Sequence, residues 1–579
     1  MIDDAAPEPG FKAPSESTGT NVSRHSPKSW RADIRRGIIH GAGHLGGSKM
    51  TKFRGVLNAA LLVGLFCPRG YVEAAPPPPG WRFCRLHPWV EADADQLAGM
   101  LTEPAERIDL AGPRNDWLTG AVGIAAGTDV RVTVRLRVPD ALKDRVQLRV
   151  VGQVKEREKK RWVWDPLFAE GDLPTNGRST RNYEQIKDFP RVTVTPSRPA
   201  FLWLTVDLRN IRSGRYEAEL LANDERGQQA SVPVRIAVLD AELPIENPLF
   251  CFAWQWSTTQ PAMIREFIDH GINVFHVHPE AVWKAGAKFC LFVFEPSWKR
   301  KPLDDAQRAL VKDHLDRIWE TVERLDIPRD RWAIYLADEP CDQTAAVDLS
   351  YAMEVRALRP ETPIWFNPAW DKLPGSDRNN TTVDGTFRKL ASVADIWCPY
   401  SAHLWDGSGA INFMRSTGKR MWFGEIWGNA ARRPSVGREM LRQGPWMAWK
   451  YRLEGFGVYA ANAWVDDPWN DLDGATPDYA FTYPAGDRLI STRGFEAFRQ
   501  GVQEYKRLHV LHRRGVGLGL LDAWADLLLD AWADRALSSP CSVYALDQIR
   551  RAMDDWLVGL SRTSPYVEKT KKNVDGTRP

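Results

Sequence analysis

At 579 residues the chain is too long for one ordinary domain, and two or three are expected. A formal net charge of +3 is small for that length. No basic stripe with interleaved aromatics occurs, which argues against nucleic acid as a partner. Seven cysteines are scattered with no Cys-x-x-Cys pair and no Cys/His metal spacing, so no metal and no cofactor are expected.

Taken in order, residues 1–49 are polar, basic and rich in Ser, Gly and His, without sustained periodicity, and read as a disordered or over-extended leader. At Met50 the character changes. Lys52 and Arg54 precede a 12-residue apolar run, Gly55 to Phe66, and then come Val72-Glu73-Ala74-Ala75 and four prolines. Positive, apolar, small-residue order is that of a secretory signal peptide over 50–75, too short to span a bilayer stably. Met50 is therefore the expected start, with a secreted or periplasmic product.

Residues 76–245 carry short alternating strands with turns between them. Val130 to Val138, Gln147 to Val151, Ala200 to Leu208 and Ala230 to Val238 each alternate with period two, which predicts an N-terminal β-sandwich. After Leu243-Pro244 the rhythm becomes strand then helix. Strands are predicted at Leu249–Trp254, Ile272–Val277, Phe289–Glu295, Trp332–Ala337, Pro363–Asn367, Ala394–Cys398, Arg420–Gly424 and Gly455–Ala461. Helices are predicted at Pro261–His270, Asp304–Leu325, Thr344–Leu358, Gly437–Leu453 and Glu496–His512. Eight such strands predict a (β/α)8 TIM-type barrel over 246–515, with a doubly wound open sheet as the alternative. Residues 516–579 read as a helical extension and polar tail, with Leu521-Asp-Ala-Trp-Ala-Asp526 repeated at Leu529–Asp534. The whole is a multidomain α/β and all-β architecture.

In a barrel of this kind the active site lies at the C-terminal strand ends. Those ends carry Trp254 and Trp256, His276 and His278, Glu295, Asp338 and Glu339, Asn367 and Trp370, Trp397 and Tyr400, Glu425 and Trp427, and Asn462 and Trp464. The set is acids, aromatics and amides with few cations, no phosphate-gripping loop and no nucleophile elbow. The chain also has 26 tryptophans. An indole offers a flat apolar face and one donor, the surface that suits a sugar ring, although core packing uses the same property. A carbohydrate is the expected partner, and glycoside hydrolysis needs what Asp338-Glu339 supplies. One carboxylic acid protonates the leaving oxygen, and a second group supports the cationic centre. Adjacent carboxylates in a Trp-lined site should have their pKa values driven apart, leaving one acid protonated near neutrality.

Several segments together are more specific. Tyr335-Leu336-Ala337-Asp338-Glu339-Pro340, Trp446 to Tyr451 with Gly455-Phe456, and Ser491-Thr492-Arg493 with Glu496 to Arg499, Gly501 and Glu504-Tyr505 resemble glycoside hydrolase family 123 and its DUF4091 relatives. Leu110 to Asp116 and Gly214 to Tyr216 resemble that family's N-terminal domain. The resemblance implies a retaining β-N-acetylhexosaminidase, with N-acetylgalactosamine favoured, in which the substrate's acetamido oxygen is the nucleophile. It implies Glu339 as general acid and base, and Asp338 as the group that orients the acetamido N–H. Glu425 departs from the pattern. An acid on strand 4 facing a glutamate on strand 7 would also permit a covalent glycosyl-enzyme. A non-catalytic sugar-binding barrel is the remaining alternative.

Overall fold

The computed structural model describes residues 80–90, 93, 95–156, 161–172, 180–255, 260–369, 381–404, 409–424, 434–463, 467–469, 479–517, 522–538 and 543–563. The expected leader and signal peptide lie outside these residues.

Ten strands come first: β1 Trp81–Arg85, β2 Ile108–Arg114, β3 Trp117–Ala126, β4 Val130–Arg137, β5 Val146–Glu156, β6 Arg161–Phe168, β7 Arg191–Val194, β8 Ala200–Asp207, β9 Gly214–Asp224 and β10 Gln229–Glu242. They form two five-stranded sheets, ordered β1-β3-β8-β5-β6 and β2-β10-β9-β4-β7. In β4 the period-two pattern buries Val132 and Val134 while Arg131 and Arg135 face water. Inward side chains of both sheets build one apolar core that includes Phe83, Val134, Leu204 and Ile236. Strand β8 departs from simple alternation because every one of its residues is buried. Leu202 and Leu204 enter the shared core, while Phe201 and Trp203 join a second cluster with Trp164 and Ala497. The first sheet is therefore covered on both faces.

Eight parallel strands follow: β11 Phe250–Ala253, β12 Val274–Phe275, β13 Phe289–Val293, β14 Trp332–Ala337, β15 Ile364–Phe366, β16 Ile396–Trp397, β17 Arg420–Phe423 and β18 Gly455–Val458. Strand β11 pairs with both β12 and β18, so the sheet closes into a barrel and the open-sheet alternative is excluded. Gly457 permits closure locally: a Cβ there would fall 2.1 Å from the Phe252 ring. Strand β14 shows how side chains divide. Ala333 and Tyr335 point into the barrel with Trp365 and Trp422, while Trp332, Ile334 and Leu336 pack outward under the helices.

Those helices include Pro261–Asp269, Asp305–Arg324, Ala345–Leu358, Pro434–Lys450 and Arg493–Gly517. The Asp304 side chain caps the second, accepting from Gln307 N at 2.8 Å. Helices Asp522–Leu537 and Val543–Thr563 end the described chain, packing Leu529, Leu546 and Met553 against Leu243, Trp446 and Leu508. No described helix is long and apolar enough to cross a membrane. The five described cysteines, Cys84, Cys251, Cys290, Cys341 and Cys398, are all buried and unbridged.

Candidate active site

Strand β14 ends where its chemistry begins. A register shift between Tyr335 and Ala337 loosens its pairing with β15, and the last ladder pair is Ala337 with Phe366. Asp338 and Glu339 follow, with Glu339 in the left-handed region at φ +49°. For a residue with a Cβ that conformation costs about 1–2 kcal/mol, so surrounding contacts must impose it.

Asn367, one residue past the end of β15, supplies one such contact. Glu339 N donates to Asn367 Oδ1 at 3.1 Å. Asn367 Nδ2, on the other side of the same amide, donates to Tyr335 Oη at 2.9 Å and reaches Asp338 Oδ1 at 3.4 Å. Tyr335 in turn donates its hydroxyl to Asp338 Oδ1. Burial first, then the Asp338 charge, pushes the Tyr335 phenol well above its ordinary pKa, so it stays a donor. Glu339 faces elsewhere: Tyr400, from the segment after β16, donates its hydroxyl to Glu339 Oε1. The two neighbouring carboxylates therefore have separate partners.

Their settings differ in kind. Burial raises the Glu339 pKa above the ordinary glutamate value, and the Asp338 charge adds to the rise. The Tyr400 hydrogen bond and the Arg300 charge oppose it without cancelling it. A carboxyl held this way keeps its proton to higher pH and can donate it. Asp338 is exposed and receives two donors at Oδ1, which suits an acceptor that orients a substrate N–H.

Aromatic rings line this corner. Trp254, one residue past β11, lies 5.1 Å from the Tyr335 ring at 30°, and the Trp298 and Trp365 rings meet Tyr335 edge-on at 5.1 Å and 4.7 Å. His276 lies 4.6 Å from Trp254, and burial lowers its pKa to about 3, so it is neutral across the working range.

Of the residues expected at the mouth, Asp338, Glu339, Asn367, Tyr400 and Trp254 come together here. Asn462 is buried just beyond the Ala461 N–H that donates to Trp254 O at 2.8 Å. His278 stands apart: it is exposed, left-handed at φ +46°, and precedes the short helix Pro279–Lys284. Trp397 packs outward against Phe387 rather than into the mouth. Glu425, Trp256, Trp370, Trp427 and Trp464 lie outside the described residues. From sequence Tyr335 stood only as the first residue of the family motif, with no role at the site, although its inward position on β14 followed from the alternation. The sequence reading also passed over Trp298, Trp365 and Arg300. Nothing local in the sequence marks Arg300, which reaches the acid pair from the segment after β13.

No family model matches this chain, and no curated protein matches it. Solved structures do. The class defined by the fold is a closed (β/α)8 barrel preceded by two β-sheets. Within that class the fold is like that of a family 123 glycoside hydrolase from Clostridium perfringens, studied for glycolipid glycan hydrolysis. The TM-score is 0.59 at 10% identity, over 85% of this chain and 99% of that one. At that identity the likeness is one of fold. Two further matches are far weaker. A family 39 glycoside hydrolase from Bacteroides cellulosilyticus WH2 has a TM-score of 0.32 at 12% identity, over 62% of this chain and 78% of that one. A family 5 xyloglucanase from Bacteroides ovatus has a TM-score of 0.27 at 8% identity, over 69% and 98%.

Proposed function

We propose that the chain is a retaining glycoside hydrolase that removes terminal β-linked N-acetylhexosamine, with N-acetylgalactosamine favoured, by substrate-assisted catalysis. One observation carries this reading. Two adjacent carboxylates at the end of the fourth barrel strand are held by different partners, and the pKa of Glu339 is raised by burial. Glu339 then protonates the leaving oxygen. Asp338 accepts the acetamido N–H and aligns the acetamido oxygen for attack at the anomeric carbon. The attack closes an oxazolinium ring as the glycosidic bond breaks, and water activated by Glu339 reopens it. The family 123 fold supports the hydrolase class. In this reading the two N-terminal sheets are the family's β-sandwich, Trp254 and Asn462 line the sugar site, and the protein is secreted or periplasmic, exported by a signal peptide beginning at Met50.

The test is hydrolysis of aryl β-glycosides of N-acetylgalactosamine, N-acetylglucosamine and galactose side by side. Cleavage of the acetamido sugars alone, with inhibition by a thiazoline analogue, is expected. Equal cleavage of the plain galactoside would refute substrate assistance.

A second reading has its own observation. Gly424, which immediately precedes Glu425, is bridged to Tyr400, the residue bonded to Glu339. Glu425 itself lies outside the described residues; a glutamate on strand 7 facing the acid on strand 4 would serve double displacement. Loss of all turnover in Glu425→Gln with Asp338→Asn still active would favour it. Glycan binding without cleavage of any glycoside would favour a binding barrel instead.

A further inference from the structure

The segment after β13 straps the end of β14. Phe294 N donates to Tyr335 O at 3.0 Å, and Trp298 Nε1 reaches the same oxygen at 3.4 Å. Ser297 Oγ donates to Leu336 O, and Arg300 Nη2 donates to Asp338 O. That last contact is the informative one. Asp338 lies one residue beyond the final ladder pair, so its carbonyl has no strand partner, and Arg300 supplies one. The N–H of the same peptide bond, from Glu339, is taken by Asn367. Both polar groups of the Asp338–Glu339 peptide are thus held by side chains from neighbouring strands' ends. Arg300 is itself anchored. Its Nε lies 3.1 Å from Oδ1 of Asp348, a wholly buried carboxylate on helix Ala345–Leu358. Its own backbone is left-handed at φ +46°, with its N–H donating to Ser297 O at 2.9 Å.

We propose that Arg300, anchored by Asp348, is a positioning residue for the acid turn: with Asn367 it clamps the peptide plane between Asp338 and Glu339, and so fixes the left-handed turn that sends the two carboxylates to different partners. Its catalytic consequence rests on the glycosidase reading above; the clamp itself does not. The arrangement also gives Arg300 an electrostatic effect. Among the described residues, the titratable and charged groups bearing on Glu339 are Asp338 from its own turn, Tyr400 from the segment after β16, and Arg300 from the segment after β13. Tyr335, facing Asp338, also senses Glu339. Arg300 is the cation in this set, and Asp348 offsets part of its charge.

The experiment is a 13C NMR titration of the Glu339 carboxyl, assigned by its loss in Glu339→Gln, alongside the pH profile of kcat and KM on the acetamido-galactoside. Arg300→Gln should raise the Glu339 midpoint by about 0.5–1 pH unit. It should lower kcat by about 10–100-fold with a smaller change in KM, because the turn is no longer aimed. Arg300→Lys should restore the midpoint but not kcat, since an ammonium keeps the charge and cannot span both Asp338 O and Asp348. Asp348→Asn should move the midpoint down. If Arg300→Gln does not fold, the lysine and Asp348→Asn variants decide. A wild-type midpoint and wild-type kcat in the folded variants would overturn the proposal. If the wild-type protein cleaves no glycoside, the glycosidase reading falls, and the clamp is then decided by the Glu339 backbone amide, whose NMR shift and protection from exchange should change in Arg300→Gln and Arg300→Lys alike; unchanged values in both would overturn it.

Discussion

Two glutamates in this molecule, Glu339 half-buried and Glu496 fully buried, teach opposite lessons. Glu339 sits at the barrel mouth, where burial lifts its pKa and the cation bearing on it, Arg300, is bound to the neighbouring backbone carbonyl. Glu496 sits on helix Arg493–Gly517, where that helix meets the first N-terminal sheet. Burial would lift it too, but it is surrounded by donors. Arg149 Nη1 lies at 2.8 Å, Ser491 Oγ at 3.3 Å and His270 Nε2 at 3.5 Å, and Arg499 is bonded directly. Its pKa is driven far below the ordinary range, chiefly by Arg499 and then His270 and Arg149. The same seam holds further carboxylates in arginine hydrogen bonds, but with a different outcome at Asp554, where burial raises the pKa even against Arg507. Arg442 Nε and Trp446 Nε1 hold Glu504 at 2.9 Å and 2.7 Å, and Arg507 Nε holds Asp554 at 2.7 Å while also bonding Asp116 of the N-terminal region. Burial alone thus does not mark a functional acid. Nor does a raised pKa, because burial also lifts Asp554 and Asp165 within their arginine pairs; Glu339 differs in lying at the C-terminal end of a barrel strand beside a second carboxylate.

The largest expected effects form a reciprocal pair. Glu339→Gln should lower kcat by about 10²–10⁴-fold with the folded state intact. Glu496→Gln should leave Arg149 and Arg499 under-compensated in a dry seam and destabilise the protein by about 3–5 kcal/mol, read as a lower denaturation midpoint. The pH signs are also opposite. The Glu496 pKa is depressed on folding, so its stabilising contribution is present above the unfolded carboxylate pKa and fades as pH falls. The Glu339 pKa is raised on folding, so its contribution is present at low pH and is lost as pH rises through the folded value. Stability of Glu339→Gln relative to wild type should therefore increase with pH across that window. A parallel response of the two variants would break the comparison.

The same contrast explains what could be read from the chain. All eight barrel strands were legible, and β14 has the bounds Trp332–Ala337 read from the sequence. Short apolar runs between turn residues and amphipathic helices leave few other foldings. The tryptophans were less legible. Composition suggested a sugar-binding surface, yet Trp164, Trp203, Trp332, Trp365, Trp397, Trp422 and Trp446 are among the largest fully buried side chains. In a parallel barrel both faces of a strand are covered, so an indole at a strand end can fill the barrel, as Trp422 does, or lie under a helix, as Trp397 does. The motif Ser491-Thr492-Arg493 with Glu496 and Glu504 carried much of the family resemblance, but it proves to be the seam. Arg493 donates to Pro88 O at 2.8 Å, Val90 O at 2.6 Å and Trp164 O at 3.0 Å. Arg300 was not legible because its partners, Asp338 and Asp348, are 38 and 48 positions away.

A smaller effect sharpens the division within the acid pair. Tyr335→Phe removes the hydroxyl that links Asn367 to Asp338. A hydrogen bond to a charged group contributes about 1.5–3 kcal/mol, so kcat/KM on the acetamido sugar should fall by about 10–100-fold. The loss should vanish on any substrate without the acetamido group that is turned over at all, because Asp338 is assigned to that group alone. An equal loss on both substrates would move Tyr335 from the Asp338 side of the site to the Glu339 side.

The smallest effect is the most selective. Tyr400 donates to Glu339 Oε1, and a donor to a carboxylate favours its charged form, so this bond holds the Glu339 pKa below where burial alone would leave it. Tyr400→Phe keeps the ring and removes only the donor. The basic limb of the kcat/KM profile, which reports loss of the acid's proton, should then move to higher pH, while the acid limb stays in place. At the wild-type optimum the rate should change only several-fold, because the proton is still present and only its readiness to leave has fallen. The shift has the same sign as that expected for Arg300→Gln, but it comes without the loss of aim, so kcat on the plateau separates the two. If Tyr400→Phe moved the basic limb down, the hydroxyl would be serving the protonated acid as an acceptor, and the direction of the Tyr400–Glu339 hydrogen bond would have to be reversed.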